Sequence, residues 1–277
     1  MLVAVHDHGD VTRVVLASPV SRLVGYTVSV YVVTTAVGPM LVDTGLPFAW
    51  GSLRRVLAAR GGGSVARAVR GAVITHQHED HAGNAARLAR EGVPLAMAAA
   101  TRAAISVTES IGAYRRLVWG ARAPLPAGAP PFDPAPLVLI PTPGHSPDHH
   151  AVWDPERETL FGGDLFLGVK VRIAQPSEDP RALAQSLRAA AALRPRRLFD
   201  AHRGPVDDPV ASLEAKATWL DETVGEVERL LDAGWPTRRI RDSLLGGESA
   251  IGILSGGEYS RAGFVRAVRA TRGADKG

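Results

Sequence analysis

Over the first forty residues runs of β-branched hydrophobic residues alternate with polar and turn residues, which predicts two antiparallel strands, Val11 to Ala17 and Val24 to Thr34. In the second, Tyr26, Val28, Val30 and Val32 share one face, because successive strand side chains point to opposite sides. Met40-Leu41-Val42 continues the pattern and ends in the tight turn Asp43-Thr44-Gly45. The period then lengthens: Leu53, Val56 and Leu57 mark a helix between Phe48 and Arg60, stopped by Gly61-Gly62-Gly63. Next come a strand at Val73-Ile74, a helix over residues 82–91, a strand over 93–98 and a helix from Thr101 to Trp119. Gly83 lets the first of these helices begin close to the preceding turn. Ala121 to Pro136 carries no period and reads as a surface loop or lid. Further strands are expected at Leu137 to Ile140, His150 to Trp153, Thr159 to Phe161 and Arg197 to Asp200. Ser177-Glu178-Asp179-Pro180 caps and starts a helix that runs from Ala182 to Leu193.

Beyond Pro209 the pattern is helical only. Val210, Leu213, Ala217, Leu220, Val224, Val227 and Leu231 form an amphipathic stripe of about six turns. Shorter helices follow at Thr237 to Leu245 and Ser260 to Arg269. This change in pattern sets an expected boundary between a mixed domain over residues 1–208 and a helical extension over 209–277. A stripe of this kind is core packing first; a homodimer interface or a cap over a site are the alternatives.

Composition narrows the class. A chain of 277 residues, 45% hydrophobic and 22% charged, can bury one substantial core. No apolar run reaches the roughly 18 residues a spanning helix needs, and Met1 to Asp7 lacks a secretory pattern, so a cytoplasmic protein without membrane partners is expected. There is no cysteine, which rules out disulfides and leaves any metal to His, Asp and Glu. The net charge of +4 comes from dispersed arginines, with Lys only at 170, 216 and 276. Dispersed charge favours a small-molecule substrate over nucleic acid, although a phosphodiester partner stays open.

The chemistry is concentrated in Thr75-His76-Gln77-His78-Glu79-Asp80-His81, where three of the 9 histidines and two carboxylates occupy one strand-to-helix turn. Imidazole nitrogen and carboxylate oxygen suit Zn²⁺ and its first-row neighbours, and His76 and His78 project from the same side of an extended segment. Three more strands end at further candidate ligands: Ile140 leads to His145, Phe161 to Asp164 and Phe199 to His202. Ligands delivered from several strand ends converge at one edge of a sheet. Five His and two Asp exceed the needs of one tetrahedral ion and suit two, with Asp164 able to bridge. A dinuclear site of that kind implies hydrolysis.

The ordered set His76-x-His78-x-Asp80-His81, His145, Asp164 and His202, spread over roughly residues 20 to 206, resembles the metallo-β-lactamase superfamily. The resemblance implies an α/β (α+β) fold, a four-layer αββα sandwich, with residues 1–208 as the catalytic domain. It implies two Zn²⁺ per chain, with iron or manganese as alternatives. One ion falls to His76, His78 and His145, the other to Asp80, His81 and His202, with Asp164 between them. Asp43 matches an aspartate that supports the site from behind.

Flavodiiron relatives carry Glu where His78 stands, and antibiotic-degrading members generally lack an acid at the position of Asp164. The pattern is therefore similar to glyoxalase II thioesterases, lactonases and phosphodiesterase-type nucleases. Thr142 to His149 and Gly163 to Gly168 are similar to the lactamase-like protein 2 branch. Asn84 stands where a glycine is common and Arg203 where Gly or Glu is frequent, changes expected at the pocket rim.

The implied function is a hydrolase in which a hydroxide shared by two zinc ions attacks a small ester, thioester or lactone. Asp80 and Asp164 are placed in its catalytic machinery and His149 is a proton or hydrogen-bond donor to substrate. Lys170 and Arg172 are candidates to hold a carboxylate or phosphate. One alternative is a phosphodiesterase or endoribonuclease using the same metals. Another is a mononuclear iron oxidoreductase resembling persulfide dioxygenases and using His76, His145 and Asp164. His6, His8 and His150 are set aside as non-ligands, since no strand end delivers them.

Overall fold

The computed structural model describes residues 1–272. The chain forms two compact units, the first from Met1–Pro141, Asp148–Asp164 and Arg197–Val206, the second from Thr142–Pro147, Leu165–Arg196 and the chain from Asp207 onward.

The first unit holds two mixed sheets. One contains, in order, β1 (Leu2–Asp7), β2 (Val11–Leu16), β3 (Val28–Thr35), β4 (Gly38–Val42), β5 (Ala72–Val73) and β6 (Leu95–Ala96). Its first four strands form an antiparallel meander, and β5 and β6 then add in parallel. The other contains β7 (Val138–Pro141), β8 (His150–Asp154), β9 (Thr159–Phe161), β10 (Arg197–Asp200) and β11 (Gly204–Val206), with β9 and β10 parallel. Their facing sides make one apolar core, with Val11, Tyr31, Val33, Met40, Val42 and Val73 against Val152, Phe161 and Phe199. Tyr31 packs its ring at 5.4 and 5.3 Å from Phe161 and Phe199 and donates its O–H to the Asp200 carbonyl at 2.5 Å. Burial pushes that phenol well above its ordinary pKa, so it remains a donor.

Seven helices belong to this unit: α1 (Pro19–Leu23), α2 (Trp50–Arg60), α3 (Val65–Ala68), α4 (Glu79–Ala82), α5 (Ala85–Arg90), α6 (Ala99–Ile105) and α7 (Ala113–Val118). The expected helix from Thr101 to Trp119 is thus two. Val107, Thr108 and Ile111 lose side-chain freedom in a helix, and Gly112 stands at the start of α7. β1 escapes the sequence pattern because it is an exposed edge strand with no buried face to impose alternation. Residues 121–136 form the expected surface loop. The Leu125 N–H binds the Ile105 carbonyl, Pro131 bridges Leu95, and Phe132 packs on the core over Gly71, so the segment seals the edge at β6. Gly83 does what the sequence expects: a Cβ there would lie 2.0 Å from the Glu79 carbonyl and 2.6 Å from that of Gly45.

The second unit holds α8 (Pro180–Ala192), α9 (Pro209–Asp232), α10 (Thr237–Ile240), which continues into a π turn, α11 (Ala250–Leu254) and α12 (Arg261–Thr271). Asp179 caps α8 by accepting the N–H groups of Arg181 and Ala182, both at 3.0 Å. Along α9 the buried stripe is Leu213, Ala217, Leu220, Val224, Val227 and Leu230, packed on α8 and α12; it closes on Leu230 rather than Leu231. Lys216 also falls inside and donates to the carbonyls of Leu165 and Phe166. Thr142–Pro147 lies on α8: Gly144, at φ +136°, approaches Leu183 too closely for any side chain, and Ser186 donates to the Pro143 carbonyl at 2.7 Å. Among the described residues no helix is long and apolar enough to cross a membrane.

Candidate metal centre

The parallel strand pairs decide where the polar residues emerge. β4 and β5 pair with Val42 beside Val73, so Asp43 and the Ile74-Thr75-His76 segment leave the sheet together. β9 and β10 pair with Phe161 beside Phe199, which sends Gly163-Asp164 and Ala201-His202 off neighbouring ends. A one-residue slip would turn each set to the opposite face.

Asp43 adopts φ +60°, a left-handed conformation that Asp tolerates better than most residues, and is 2% exposed. Its carboxylate accepts the Thr75 N–H at 2.9 Å, the Thr75 O–H at 3.0 Å and the His81 Nδ1–H at 2.8 Å. These bonds set the protons. Since Thr75 gives its hydrogen to a carboxylate, its Oγ1 receives the Nδ1–H of His76 at 3.0 Å, and His76 Nε2 carries a lone pair 2.9 Å from His78 Nδ1. His202 Nδ1 donates to the Thr27 carbonyl at 2.7 Å. The Nε2 atoms of His81 and His202 are therefore acceptors in the neutral rings, turned toward Asp164 Oδ1 at 3.1 and 3.0 Å and toward Asp80 Oδ2, each at 3.6 Å. Buried among the described residues, His81 Nε2 has no hydrogen-bond partner.

Acceptors facing acceptors require a positive charge between them. Separations of 3.0–3.6 Å bracket the roughly 3.3 Å edge of a tetrahedron built on 2.0–2.1 Å bonds. The donor atoms of Asp80, His81 and His202 lie within 4.8 Å of one another, as do those of His76, His78 and Asp164. The donor set therefore fits a divalent cation. The same field acts on protons. Burial disfavours charge on His202, yet Asp164 and then Asp80 outweigh it and raise its pKa to about 9; His81 is likewise held well above the usual range against burial, by Asp164, Asp80 and Asp43. His76, where burial is joined by repulsion from His81, His78 and His149, is held well below it.

His145, the remaining expected ligand, is carried by the second unit on Thr142–Pro147, 8% exposed, with Nδ1 3.8 Å from Glu178. His149 does not occupy the rim position expected of it: it is 1% exposed, and its Nε2 accepts the backbone N–H of Asp164 at 3.1 Å. Lys170 and Arg172 are exposed on the second unit. Asn84 is also no rim residue. It is fully buried, with Nδ2 donating to the carbonyls of Thr44, Gly45 and Leu46, and it ties α5 to the Asp43 turn; Arg203 is exposed. His150, set aside from the sequence, binds the Asp148 carbonyl, and His8 packs on Phe199.

Several residues of the centre carry no signal in the sequence. Tyr26 donates its O–H to Asp80 Oδ2 at 2.5 Å and lies 3.3 Å from His202 Nε2. Asp148 accepts the Gln77 N–H and the Thr101 O–H, both at 2.9 Å, and so fixes the His-rich turn. Glu79, inside that turn, is clamped by Arg115 at 2.8 Å; burial raises its pKa and Arg115 opposes the rise. Each depends on a partner between 36 and 176 positions away, which no local pattern reports.

The profile of the metallo-β-lactamase superfamily matches residues 23–202. The chain belongs to this superfamily. A beta-lactamase-like protein 2 homolog from Caenorhabditis elegans is 29% identical over 206 residues, covering 70% of this chain and 64% of that protein. The chain thus spans 64% of that relative's length. A metallo-β-lactamase family protein from Thermus thermophilus superposes with a TM-score of 0.66 at 19% identity, covering 96% of this chain and 94% of the other. The FIM-1 metallo-β-lactamase of Pseudomonas aeruginosa, in its mono-zinc form, gives 0.58 at 19% identity over 80% and 95%. These superpositions confirm the metallo-β-lactamase fold that the resemblance implied, two mixed sheets with helices, and the helical C-terminal region that the pattern beyond Pro209 predicts is present.

Proposed function

We propose that the protein is a metal-dependent hydrolase of small esters, thioesters or lactones, working with two divalent cations, zinc by preference of the donor set. The observation that carries this reading is the convergence of Asp80, His81, His202 and Asp164 as mutually facing acceptors, beside His76 and His78. His145 joins His76 and His78 in the family pattern. Cations held by these residues would supply Lewis acidity toward a carbonyl oxygen and lower the pKa of a water toward neutrality. The chain's own part is preorganisation. Asp43 fixes the His81 tautomer, the Thr27 carbonyl fixes that of His202, and Tyr26 orients Asp80. His149 steadies the Asp164 backbone from behind, and the Asp164 carboxylate would orient an attacking water. Lys170 and Arg172, both exposed, are the cations assigned to an anionic part of the substrate.

The test is metal content together with a hydrolysis panel of thioesters, lactones, β-lactams and phosphodiesters, run on the native protein, Asp164→Ala and His76→Ala. Two metals per chain and turnover lost in both variants are expected. Full activity in both would sink the mechanism. One iron per chain, or steeply salt-dependent binding of single-stranded RNA, would redirect the function to the oxidoreductase or the nuclease.

A further inference from the structure

Within the second unit a basic side chain is buried in a stripe that is otherwise apolar. Lys216 is 1% exposed on α9, in the face that carries Leu213, Ala217 and Leu220. It is one of three lysines in a chain that takes the rest of its positive charge from arginine. An amine buried among apolar groups is costly unless its N–H groups find acceptors. Lys216 donates to two consecutive carbonyls, that of Leu165 at 3.1 Å and that of Phe166. A guanidinium spreads its donors over a plane, whereas an ammonium points three from one atom, which suits carbonyls that converge on a point.

Leu165 and Phe166 are the two residues that follow Asp164, and both are buried. Next come Leu167 at φ +53° and Gly168 at φ +104°, so the chain turns through two successive residues of positive φ. Leucine adopts such a conformation only against a steric cost, because its Cβ crowds the backbone oxygen. The turn must therefore be held by something outside it, and the bonds from Lys216 do so. The chain entering Asp164 is held too. The Asp164 N–H is bound by His149, and the Gly163 carbonyl accepts the Ala201 N–H at 3.3 Å. Gly163, at φ +52°, has no room for a side chain, since a Cβ there would lie 2.8 Å from His149 Nε2.

We propose that Lys216 is a positioning residue for Asp164. By fixing the two peptide groups that follow, it sets the direction in which the Asp164 carboxylate is presented. The inference rests on the reading of Asp164 as a metal ligand and adds the residue that aims it.

The experiment measures zinc affinity by chelator competition and the d–d absorption spectrum of the cobalt-substituted protein, which reports coordination geometry. Lys216→Met removes the donors and keeps the length of the side chain. Lys216→Gln keeps an N–H donor on a shorter arm and is the milder change, so it decides the matter if Lys216→Met does not fold by circular dichroism. Zinc affinity roughly tenfold lower, the loss typical when a ligand's support is removed, and an altered cobalt spectrum are expected in Lys216→Met, with smaller changes in the same direction in Lys216→Gln. Leu220→Ala, on the same buried stripe, should lower the urea midpoint and move neither readout, which separates positioning from loss of stability. Native affinity and spectrum in the folded Lys216 variant, with Asp164→Ala impaired, would overturn the role of Lys216 and leave Asp164 a ligand. Native values in Asp164→Ala would overturn both. Equal losses in Leu220→Ala and Lys216→Met would reduce Lys216 to packing and overturn its role alone.

Discussion

Replacing Asp43 by Asn separates what holds the fold from what prepares the metal centre. Asn fits the backbone, because it tolerates the left-handed φ of +60° nearly as well as Asp. One oxygen can still accept the Thr75 N–H and O–H, but the other becomes an NH₂ facing the His81 Nδ1–H at 2.8 Å, donor against donor. Bonds to an ionised group are worth about 1.5–3 kcal/mol and neutral ones about 0.5–1.5. Losing one and weakening two would cost about 3.5–6 kcal/mol if nothing moved. His81 has an escape. If its proton shifts to Nε2, Nδ1 can accept from the Asn and Nε2–H can donate to Asp164 Oδ1, 3.1 Å away. That rearrangement recovers a buried hydrogen bond and consumes the lone pair a cation needs. Destabilisation should therefore be small, about 1–2 kcal/mol by urea unfolding, while the affinity of the Asp80–His81–His202 set falls roughly 10- to 100-fold, as is typical when a ligand's hydrogen-bond partner is removed. Chelator-competition titration of zinc measures the affinity. Unchanged affinity in folded Asp43→Asn would refute the tautomer argument.

Other perturbations test the supports. Arg115→Met leaves the fully buried Glu79 without its clamp and should cost about 3–5 kcal/mol, whereas adding Glu79→Gln should recover much of the loss; equal unfolding midpoints for the single and double variants would contradict this. Asp10 holds Arg197 through two bonds of 2.7 Å, and that hydrogen-bonded guanidinium lowers its pKa against a partial burial cost. Because the folded pKa is depressed, the stabilisation, about 1 kcal/mol, is present above about pH 4 and disappears as pH falls through the folded pKa. Asp10→Asn should accordingly flatten that part of the stability–pH curve; a curve identical to native would show that the pair contributes nothing.

Much of the candidate centre is legible in the sequence because its donor groups sit at strand ends and are chemically conspicuous: His76, His78, Asp80 and His81 in one turn, then Asp164 and His202 after apolar runs. The supports are not. Tyr26 reads as one more residue on the face of the strand expected from Val24, although β3 begins only at Val28 and Tyr26 precedes it; Asp148 is one acid in a His-rich stretch, and Asn84 reads as a rim substitution although it is buried under three carbonyls. Their roles arise from contacts between distant segments, and hydrophobic period describes only how a segment meets its own layer. The same limit explains the helix expected from Thr101 to Trp119, where the period continues but the β-branched residues and Gly112 break the chain. β1 shows the converse: with almost no buried face, it leaves no pattern to read.

The donors Asp80, His81 and His202 are separated by up to 122 positions of sequence, and the strands that bring them together pair across long gaps of their own. An unfolded chain has no such site to offer, so a cation bound here acts as a folding ligand. At a free concentration about a thousand times its dissociation constant it adds about 4 kcal/mol to the native state, a large share of a typical domain's stability. Metal supply would then govern the lifetime of the protein. In a metal-starved cell the chain would be lost to proteolysis faster than it was left idle, and its abundance would report the supply of that cation.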